Sequence, residues 1–378
     1  MKISQKLSNF VDKKILPGAV VLVAKNSHIA YEFACGFANL HTKQPLAIDS
    51  IFPVFSMTKP VTAAAMMILH DRGLWSPDDP IAKHLPEFAE LHGPGGAALI
   101  HAPTMRELMT HTAGFGYGFA PFSFRNPYRR LKIWKATDLD DFVRRVAKAP
   151  LEYQPGTKWR YSMSMDLQGA IIQRLSGQSL PDFMRSEIFE PLGMNDTDFF
   201  VPAEKRSRLV TLYHKYFTWR MKEVRLAIFK RDGIAIPSLP MGGAGLYSTA
   251  RDYARFAQML LNGGTFEGAR LISKSSTELM MSNHLSDELL KGNYVAGVHR
   301  IRPGYGYGFN GAVHFDPAAT ASKVGRGTYQ WDGAGGSWFW IDPEHQLIFI
   351  GLSHRAMQKG MPRMQELTQD MIGQALVP

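Results

Sequence analysis

The chain has 378 residues and a formal net charge of +10 at neutral pH, and hydrophobic residues make up 45% of it. This composition excludes a disordered or fibrous chain, and a single cysteine excludes an intramolecular disulfide framework. No apolar run reaches the roughly 20 residues of a membrane span, and charges interrupt the first segment before signal-peptide length, so we expect a cytoplasmic protein without membrane contact.

The first predicted elements are a short helix and a β-hairpin. An amphipathic pattern over 5–16 predicts the helix, which Pro17 and Gly18 end. β-rich runs at 19–24 and 29–37 flank a short turn, and this pattern predicts two antiparallel strands.

The middle of the chain alternates between helical periodicity and loops rich in proline and glycine. The predicted helices of this part span 60–74, 104–111, 138–148, 164–176, 179–190 and 249–261. Near the C-terminus, runs at 337–341 and 347–352 predict a second hairpin, and the apolar spacing over 361–376 predicts a closing helix.

The simplest arrangement of these elements is an α/β (α+β) fold, in which both chain ends build one antiparallel sheet flanked by helices. We predict a sheet domain made of 1–80 and 235–378, with a mostly helical lobe inserted at 81–234. A ligand is expected to bind between the two parts.

The segment 205–231 contains nine Lys or Arg side chains interleaved with aromatic residues. Such a stretch can bind nucleic acid or a membrane surface, but no nucleic-acid-binding motif accompanies it. We interpret it as a basic aromatic flap of the helical lobe, and we expect neither nucleic acid nor membrane as a partner.

Ser56 and Lys59 are the first residues with a predicted chemical role. They lie three apart at the start of the helix predicted for 60–74, and this spacing places both on one helix face. A serine hydroxyl needs a neighbouring base to act as a nucleophile, and a lysine of lowered pKa can be that base. The N–H groups at the helix start can also stabilise an oxyanion. The alternative is a helix-capping serine beside a surface lysine.

Tyr161 is the second candidate. It follows the turn at Pro155 and Gly156 and precedes the helix predicted for 164–176, so its phenol can point into a cleft. A tyrosinate there can take the serine proton, and a neutral phenol can pass a proton to the leaving group. The alternative is a tyrosine that only packs between the two parts of the fold.

The third candidate is the glycine-rich stretch 329–338, which leads into the C-terminal hairpin. Its three glycines allow a ligand to approach the backbone closely. A backbone N–H group of this stretch, together with that of Ser56, can form an oxyanion hole. The alternative is a glycine-rich bulge in a strand.

These three stretches, in this order, resemble the S-x-x-K, Y-x-N and K-T-G motifs of serine β-lactamases and penicillin-binding proteins. The segment 104–114 resembles the "LLTHTSG" segment of that superfamily, and 191–194 and 242–249 resemble further segments. The pattern is most similar to the family VIII carboxylesterases, which share the class C β-lactamase fold.

The resemblance assigns roles to individual residues of this chain. It implies that Ser56 is the nucleophile and that Lys59 and Tyr161 activate it. It further implies that Ala334 supplies the second oxyanion N–H group, and that Trp331 and Gly333 line the site.

Two departures from the β-lactamase pattern bear on the substrate. Met163 stands where β-lactamases carry an asparagine, and Trp331 stands where they carry Lys or His. The second change removes a cation that would hold the carboxylate of a β-lactam, whereas family VIII esterases resemble this chain at both positions. An uncharged ester therefore suits the site better, although the resemblance gives no account of Asp332.

The sequence thus predicts a serine carboxylesterase that hydrolyses small-molecule esters of small acyl groups through a Ser56 acyl-enzyme, with weak β-lactamase side activity. Alternatives on the same site are a β-lactamase, a D-amino-acid peptidase, a 6-aminohexanoate-oligomer hydrolase and an acyltransferase. An alternative of another class is a sensor or binding protein that is acylated without turnover.

We expect no cofactor and no metal, because the thirteen histidines show no metal-ligand spacing. The glycine pattern at 306–311 leads into a strand pattern, which argues against a dinucleotide site.

Overall fold

A computed structural model of the protein describes most of the chain. The described residues are 2–118, 126–216, 220–224, 233, 235–291, 295–296, 299–300, 302–320, 322–358 and 361–376. The strands are β1 (Gly18–Lys25), β2 (His28–Asn39), β3 (Gln44–Pro45), β4 (Phe52–Pro53), β5 (Tyr213–Tyr216), β6 (Arg220–Glu223), β7 (Tyr247–Ser248), β8 (Thr265–Phe266), β9 (Ala269–Arg270), β10 (Val295–Ala296), β11 (His299–Arg300), β12 (Tyr305–Tyr307), β13 (Ala312–His314), β14 (Thr328–Gly333), β15 (Ser337–Asp342) and β16 (Leu347–Ser353). The α-helices are α1 (Lys2–Asp12), α2 (Thr58–Asp71), α3 (Met105–Met109), α4 (Pro127–Arg130), α5 (Leu139–Ala147), α6 (Ser164–Ser176), α7 (Leu180–Met184), α8 (Glu190–Leu192), α9 (Ala250–Leu261), α10 (Lys274–Met280), α11 (Asp287–Lys291) and α12 (Met364–Leu376).

An eight-stranded antiparallel sheet organises the fold, in the order β12-β13-β14-β15-β16-β1-β2-β3. Strand β1 pairs with β2, so that Val20 faces Ala34, and with β16, so that Val20 also faces Leu352. Both predicted hairpins are present, and strands from the two chain ends lie side by side. The predicted α+β fold with a sheet built from both ends is confirmed.

The two faces of the sheet bury separate apolar layers, because successive side chains of a strand point to opposite faces. On one face Val21, Trp340 and Phe349 pack with residues of α1 and α12. On the other face Val20 and Leu352 join a larger core that includes most of the helices between 58 and 261. The site described below lies on this second face.

The predicted helices are found with small shifts of their ends. The helix predicted for 60–74 begins at Thr58, and the helix predicted for 164–176 has the same bounds in the structure. The segment predicted as one helix over 179–190 is divided by a π-helical turn at Arg185–Phe189. Pro191 follows this turn, and since proline has no N–H to donate, a change in the hydrogen-bond pattern here is expected.

Part of the basic segment 205–231 forms the hairpin of β5 and β6. Its residues 217–219 and 225–231 lie outside the described residues, so the predicted flap is described only in part. Tyr213 of β5 joins the hairpin to the end of the large sheet, since its N–H donates to the His354 carbonyl over 2.8 Å. Among the residues that the structure describes, no helix is long and apolar enough to cross a membrane.

Candidate active site

Ser56 lies in a 3₁₀ turn that continues directly into α2, and it is 8% exposed. The preceding residue, Phe55, has a φ of +45°, in the left-handed region that aromatic residues rarely adopt. A Cβ atom on Gly335 would lie 2.6 Å from the Phe55 ring, so a glycine is needed where the turn after β14 meets this ring. The serine is therefore held in a strained turn at the head of a helix, close to the glycine-rich stretch.

The structure brings the hydroxyl, the amine and the phenol predicted from the sequence into contact. Ser56 Oγ lies 2.6 Å from Tyr161 Oη, although 105 residues separate the two. Lys59 Nζ donates to Ser56 Oγ over 3.1 Å. The serine oxygen is thus hydrogen-bonded to both groups that can move its proton.

Lys59 is completely buried in the first turn of α2. Its Nζ donates to the carbonyl oxygen of Gly243 over 2.6 Å. Burial disfavours the charged amine and lowers the pKa of Lys59 to about 7, while the negative charges of Asp166 and Asp332 act in the opposite direction. A neutral amine, which can accept a proton, is therefore well populated at physiological pH.

Tyr161 is shifted in the other direction. Burial raises the pKa of its phenol above the usual range, and the hydrogen bond to Ser56 opposes this rise. The ring lies among other aromatic rings, with centroid distances of 4.9 Å to His111, 5.3 Å to Tyr117 and 5.8 Å to Trp331. The phenol is therefore neutral at physiological pH and is held by packing.

His111 supports the loop that carries Tyr161. Its Nδ1 accepts the N–H of Ser162 over 3.2 Å, and its carbonyl oxygen accepts the hydroxyl of Tyr153 over 2.8 Å. Both are structural hydrogen bonds, which fix the position of the loop. Within the ranges that the structure describes, no group of three His, Cys, Asp or Glu side chains is placed to hold a metal ion.

Sequence reasoning missed Asp166, which is 2% exposed in α6. Its Oδ1 accepts the N–H of Gly243 over 3.0 Å, and its charge acts on Lys59. The available signal was a carboxylate five residues after Tyr161, in the first turn of the helix predicted for 164–176. That signal is weak, because Asp is common in the first turn of any helix.

Asn310 is a second residue that the sequence did not indicate. Its Nδ2 donates to the backbone oxygen of Lys59 over 3.0 Å and to Oε1 of Gln168 over 2.7 Å. It sits in the turn between β12 and β13, at a φ of +59°. The glycine pattern at 306–311 is thus part of a β-hairpin whose turn anchors α2, and the strand pattern that follows it corresponds to β13.

Trp331 and Gly333 lie on β14, next to the turn that contains Ser56. A Cβ atom on Gly333 would lie 2.3 Å from the backbone oxygen of Val54, and Ser337 Oγ donates to that same oxygen over 3.2 Å. Ala334 follows at the exposed turn after β14. These contacts hold the glycine-rich stretch against the residues that precede Ser56.

Met163, which departs from the β-lactamase pattern, and Asp332, for which the resemblance gave no account, have different surroundings. Met163 is fully buried in the core before α6, so its side chain packs among apolar neighbours. Asp332 is partly exposed on β14, and its charge raises the pKa values of both Lys59 and Tyr161. The charge of the acidic residue beside Trp331 therefore acts on both groups that contact Ser56 Oγ.

Comparison with known proteins gives consistent matches over nearly the whole chain. The profile of the Beta-lactamase family matches residues 3–368. Esterase EstB of Burkholderia gladioli is 33% identical over 369 residues, which cover 91% of this chain and 87% of that protein. The solved structure of EstCE1, a hydrolase with promiscuous acyltransferase activity, has a TM-score of 0.83 and 26% identity, with 98% of each chain covered. Simvastatin synthase LovD from Aspergillus terreus shares the fold, with a TM-score of 0.80, 20% identity and coverage of 100% of this chain and 98% of that one.

Proposed function

This chain belongs to the Beta-lactamase family as a serine hydrolase, and we propose that it is a carboxylesterase that cleaves esters of small acyl groups through an acyl-enzyme on Ser56. The observation that carries the proposal is the contact of Ser56 Oγ with both Tyr161 Oη and Lys59 Nζ. The similarity to an esterase over nine-tenths of the chain supports the same reaction class.

In the first half of the reaction, Lys59 is the base. Its buried amine has a pKa of about 7 and lies 3.1 Å from Ser56 Oγ, so it can take the hydroxyl proton as the oxygen attacks the ester carbonyl. A bond forms between Oγ and the carbonyl carbon, and the bond from that carbon to the alkoxy oxygen breaks. Tyr161, which is neutral, gives its proton to the departing alkoxide and regains one from the Lys59 ammonium.

In the second half, water takes the place of the serine hydroxyl. The same pair removes a proton from water as its oxygen attacks the acyl carbon. The bond from that carbon to Ser56 Oγ then breaks, Oγ is reprotonated and the carboxylic acid leaves. The Ser56 and Ala334 N–H groups are the proposed donors to the oxyanion of both steps, and each is worth about 3 kcal/mol in comparable sites.

The chemistry around Ser56 favours an uncharged ester over a carboxylated β-lactam. Trp331 offers an aromatic face where β-lactamases place a cation. Asp332 adds a negative charge that acts on Lys59 and Tyr161 and would repel a substrate carboxylate. Turnover of β-lactams is therefore proposed only as a weak side activity.

Transfer of the acyl group to an alcohol instead of water is a second candidate. It is favoured by the likeness to EstCE1, a hydrolase described as having promiscuous acyltransferase activity. An alcohol that attacks the acyl carbon as water does would give a new ester and free Ser56. Adding a short alcohol to the assay and quantifying both products separates the two reactions.

The decisive experiment compares the wild type with Ser56→Ala on an aryl acetate and on a chromogenic cephalosporin. We expect fast acetate hydrolysis, slow cephalosporin hydrolysis and loss of both in Ser56→Ala. Ser50→Ala, which removes another buried serine hydroxyl outside the site, is the matched control and should keep full activity. Acetate hydrolysis that survives in Ser56→Ala contradicts the mechanism, and a stable probe adduct without turnover of any ester favours the sensor alternative.

A further inference from the structure

Asp166 and Lys59 bind opposite ends of the same residue. The N–H of Gly243 donates to Asp166 Oδ1 over 3.0 Å, and the carbonyl oxygen of Gly243 accepts Lys59 Nζ over 2.6 Å. The neighbouring carbonyl of Gly242 accepts the hydroxyl of Thr62 over 2.6 Å. The loop that contains Gly242 and Gly243 is therefore hydrogen-bonded to α6 on one side and to α2 on the other.

The loop has no room to move toward α6. A Cβ atom on Gly242 would lie 2.4 Å from the backbone oxygen of Met165, and one on Gly243 would lie 2.9 Å from Asp166 Oδ2. Real Cβ atoms do not approach other atoms so closely, so only glycine allows the backbone to lie flat on this helix. The direction in which the Gly243 oxygen points is thus fixed by the loop's contact with Asp166.

The groups near Lys59 that bear or can acquire charge, among the described residues, are carboxylates and phenols. Asp166 faces it from α6 and Asp332 from β14. The rings of Tyr117 and Tyr161 lie with their centroids 5.6 Å and 4.6 Å from its Nζ. Of the two carboxylates, Asp166 has the larger effect on the pKa of Lys59, and this effect counteracts burial.

We propose that Asp166 is a positioning residue of this site, which holds Gly243 so that the Lys59 amine is aimed at Ser56 and which places a negative charge near that amine. The inference rests on the proposed function insofar as Lys59 acts as the base. Without the charge, burial would leave the amine a weaker base. Without the hydrogen bond, the acceptor that orients the amine would lose its anchor.

Two substitutions separate these contributions. Asp166→Asn removes the charge but keeps an oxygen that can accept the Gly243 N–H, whereas Asp166→Ala removes both. Asp252→Asn is the matched control, because Asp252 is a buried carboxylate of α9 that holds Asp196 and Thr197, which the mechanism does not use. Thermal unfolding of each variant reports whether it is folded.

The measurement is the rate at which a fluorophosphonate probe labels Ser56, followed by intact-protein mass spectrometry between pH 5 and pH 10, beside kcat/KM for an aryl acetate. In Asp166→Asn the midpoint of the acid limb should move to lower pH by about one unit, and the plateau rate should fall. Asp166→Ala should lose about a further tenfold in rate, as expected for a misoriented base. Asp252→Asn should keep the wild-type profile.

A wild-type midpoint and plateau in Asp166→Asn would overturn the inference, and so would a loss of rate in both variants without any shift of the midpoint. Because labelling requires only a reactive Ser56, it tests the role of Asp166 even if aryl esters are poor substrates. Failure to hydrolyse any ester, with the labelling shift intact, would refute the proposed function and leave the inference standing.

Discussion

The two faces of the central sheet bury very different side chains. The face toward α1 and α12 is filled largely by aromatic and aliphatic groups, among them Trp338, Trp340 and Phe349. The face toward α2 and α6 buries Lys59 and Asp166 as well, each joined to Gly243 by a hydrogen bond. One face therefore stabilises the fold by apolar burial, while the other contains polar groups that are expensive to desolvate.

This difference indicates where changes should affect stability and where they should affect chemistry. A buried amine near a buried carboxylate, as with Lys59 and Asp166, adds little net stability, since desolvation offsets the attraction between them. A buried lysine is useful in an active site for another reason, because its lowered pKa allows the amine to act as a base near neutral pH. Substitutions near Lys59 should therefore lower kcat with little change in the free energy of unfolding. Substitutions on the face toward α1 should lower the free energy of unfolding with little change in kcat.

The largest effect is expected from Lys59→Met, which keeps the length of the side chain and removes the base. The rate constant kcat for an aryl acetate should fall about 10³-fold. The free energy of unfolding should change by no more than about 2 kcal/mol, because the lost hydrogen bond to Gly243 is offset by the easier burial of an apolar group. Steady-state kinetics and urea unfolding measure the two quantities. Lys83→Met, at an exposed lysine, is the control. Equal values of kcat in both variants would contradict a catalytic role for Lys59.

Tyr161→Phe removes one hydroxyl and leaves the ring packing against His111 and Tyr117 in place. We expect kcat to fall about 10²-fold, since the leaving alkoxide loses its proton donor. Esters with better leaving groups, which need less protonation, should be affected less. A uniform loss over a series of phenyl esters of decreasing phenol pKa would instead assign Tyr161 to the attack step.

Leu347→Ala tests the opposite face. Leu347 is 1% exposed in the layer with α1, so its truncation should lower the free energy of unfolding by about 3 kcal/mol. The kcat of the folded protein at 25 °C should match the wild type. Chemical unfolding monitored by tryptophan fluorescence gives the first quantity, and a large kinetic defect at full folding would show that the two faces are coupled.

The pH dependence follows from the direction of the Lys59 shift. The proposed mechanism needs the neutral amine, and the pKa of Lys59 is lowered to about 7, so kcat/KM should rise with pH and level off above that value. Below it the rate should drop about tenfold per pH unit. In the fold the amine binds fewer protons than in the unfolded chain between pH 7 and 10, so this group makes stability rise with pH across that range. A flat rate profile from pH 5 to pH 9 contradicts the role of Lys59.

The smallest effect is expected from Trp331→His, which restores a side chain that can carry positive charge where β-lactamases have one. The ratio of cephalosporin to aryl acetate turnover should increase a few-fold, because the lactam carboxylate gains a partner. Trp331→Phe keeps an aromatic face without charge and serves as the control. An equal change of the ratio in both variants would attribute it to space instead of charge.

Much of the fold was predictable because its signals are local. The runs at 19–24 and 29–37 around a turn identify a hairpin, and the helix predicted for 164–176 needs only its apolar spacing. The sequence also predicted one antiparallel sheet built from both chain ends, whereas the specific pairing of β1 with β16 is seen only in the structure. The π-helical turn at Arg185–Phe189 was not predictable, because helical periodicity continues through it.

The site was predictable only in part. Ser56, Lys59 and Tyr161 stand in short patterns whose residue types already suggest proton transfer. The order of these patterns along the chain resembles that of the β-lactamase motifs, and this resemblance indicated that the three residues act together. Asp166 and Asn310 act through backbone atoms of distant residues, and such contacts leave no pattern in the nearby sequence. Contacts of this kind become visible only when the chain is folded.

The position of β1 between β2 and β16 has a consequence for synthesis on the ribosome. One edge of this apolar strand finds its partner only after residues 347–353 have been translated, more than 300 residues later. Until then an unpaired strand edge is open to other nascent chains, which makes aggregation during synthesis a hazard. The sheet can therefore be completed only after residues 347–353 have been made, and residues 18–25 are the segment that most needs protection until then.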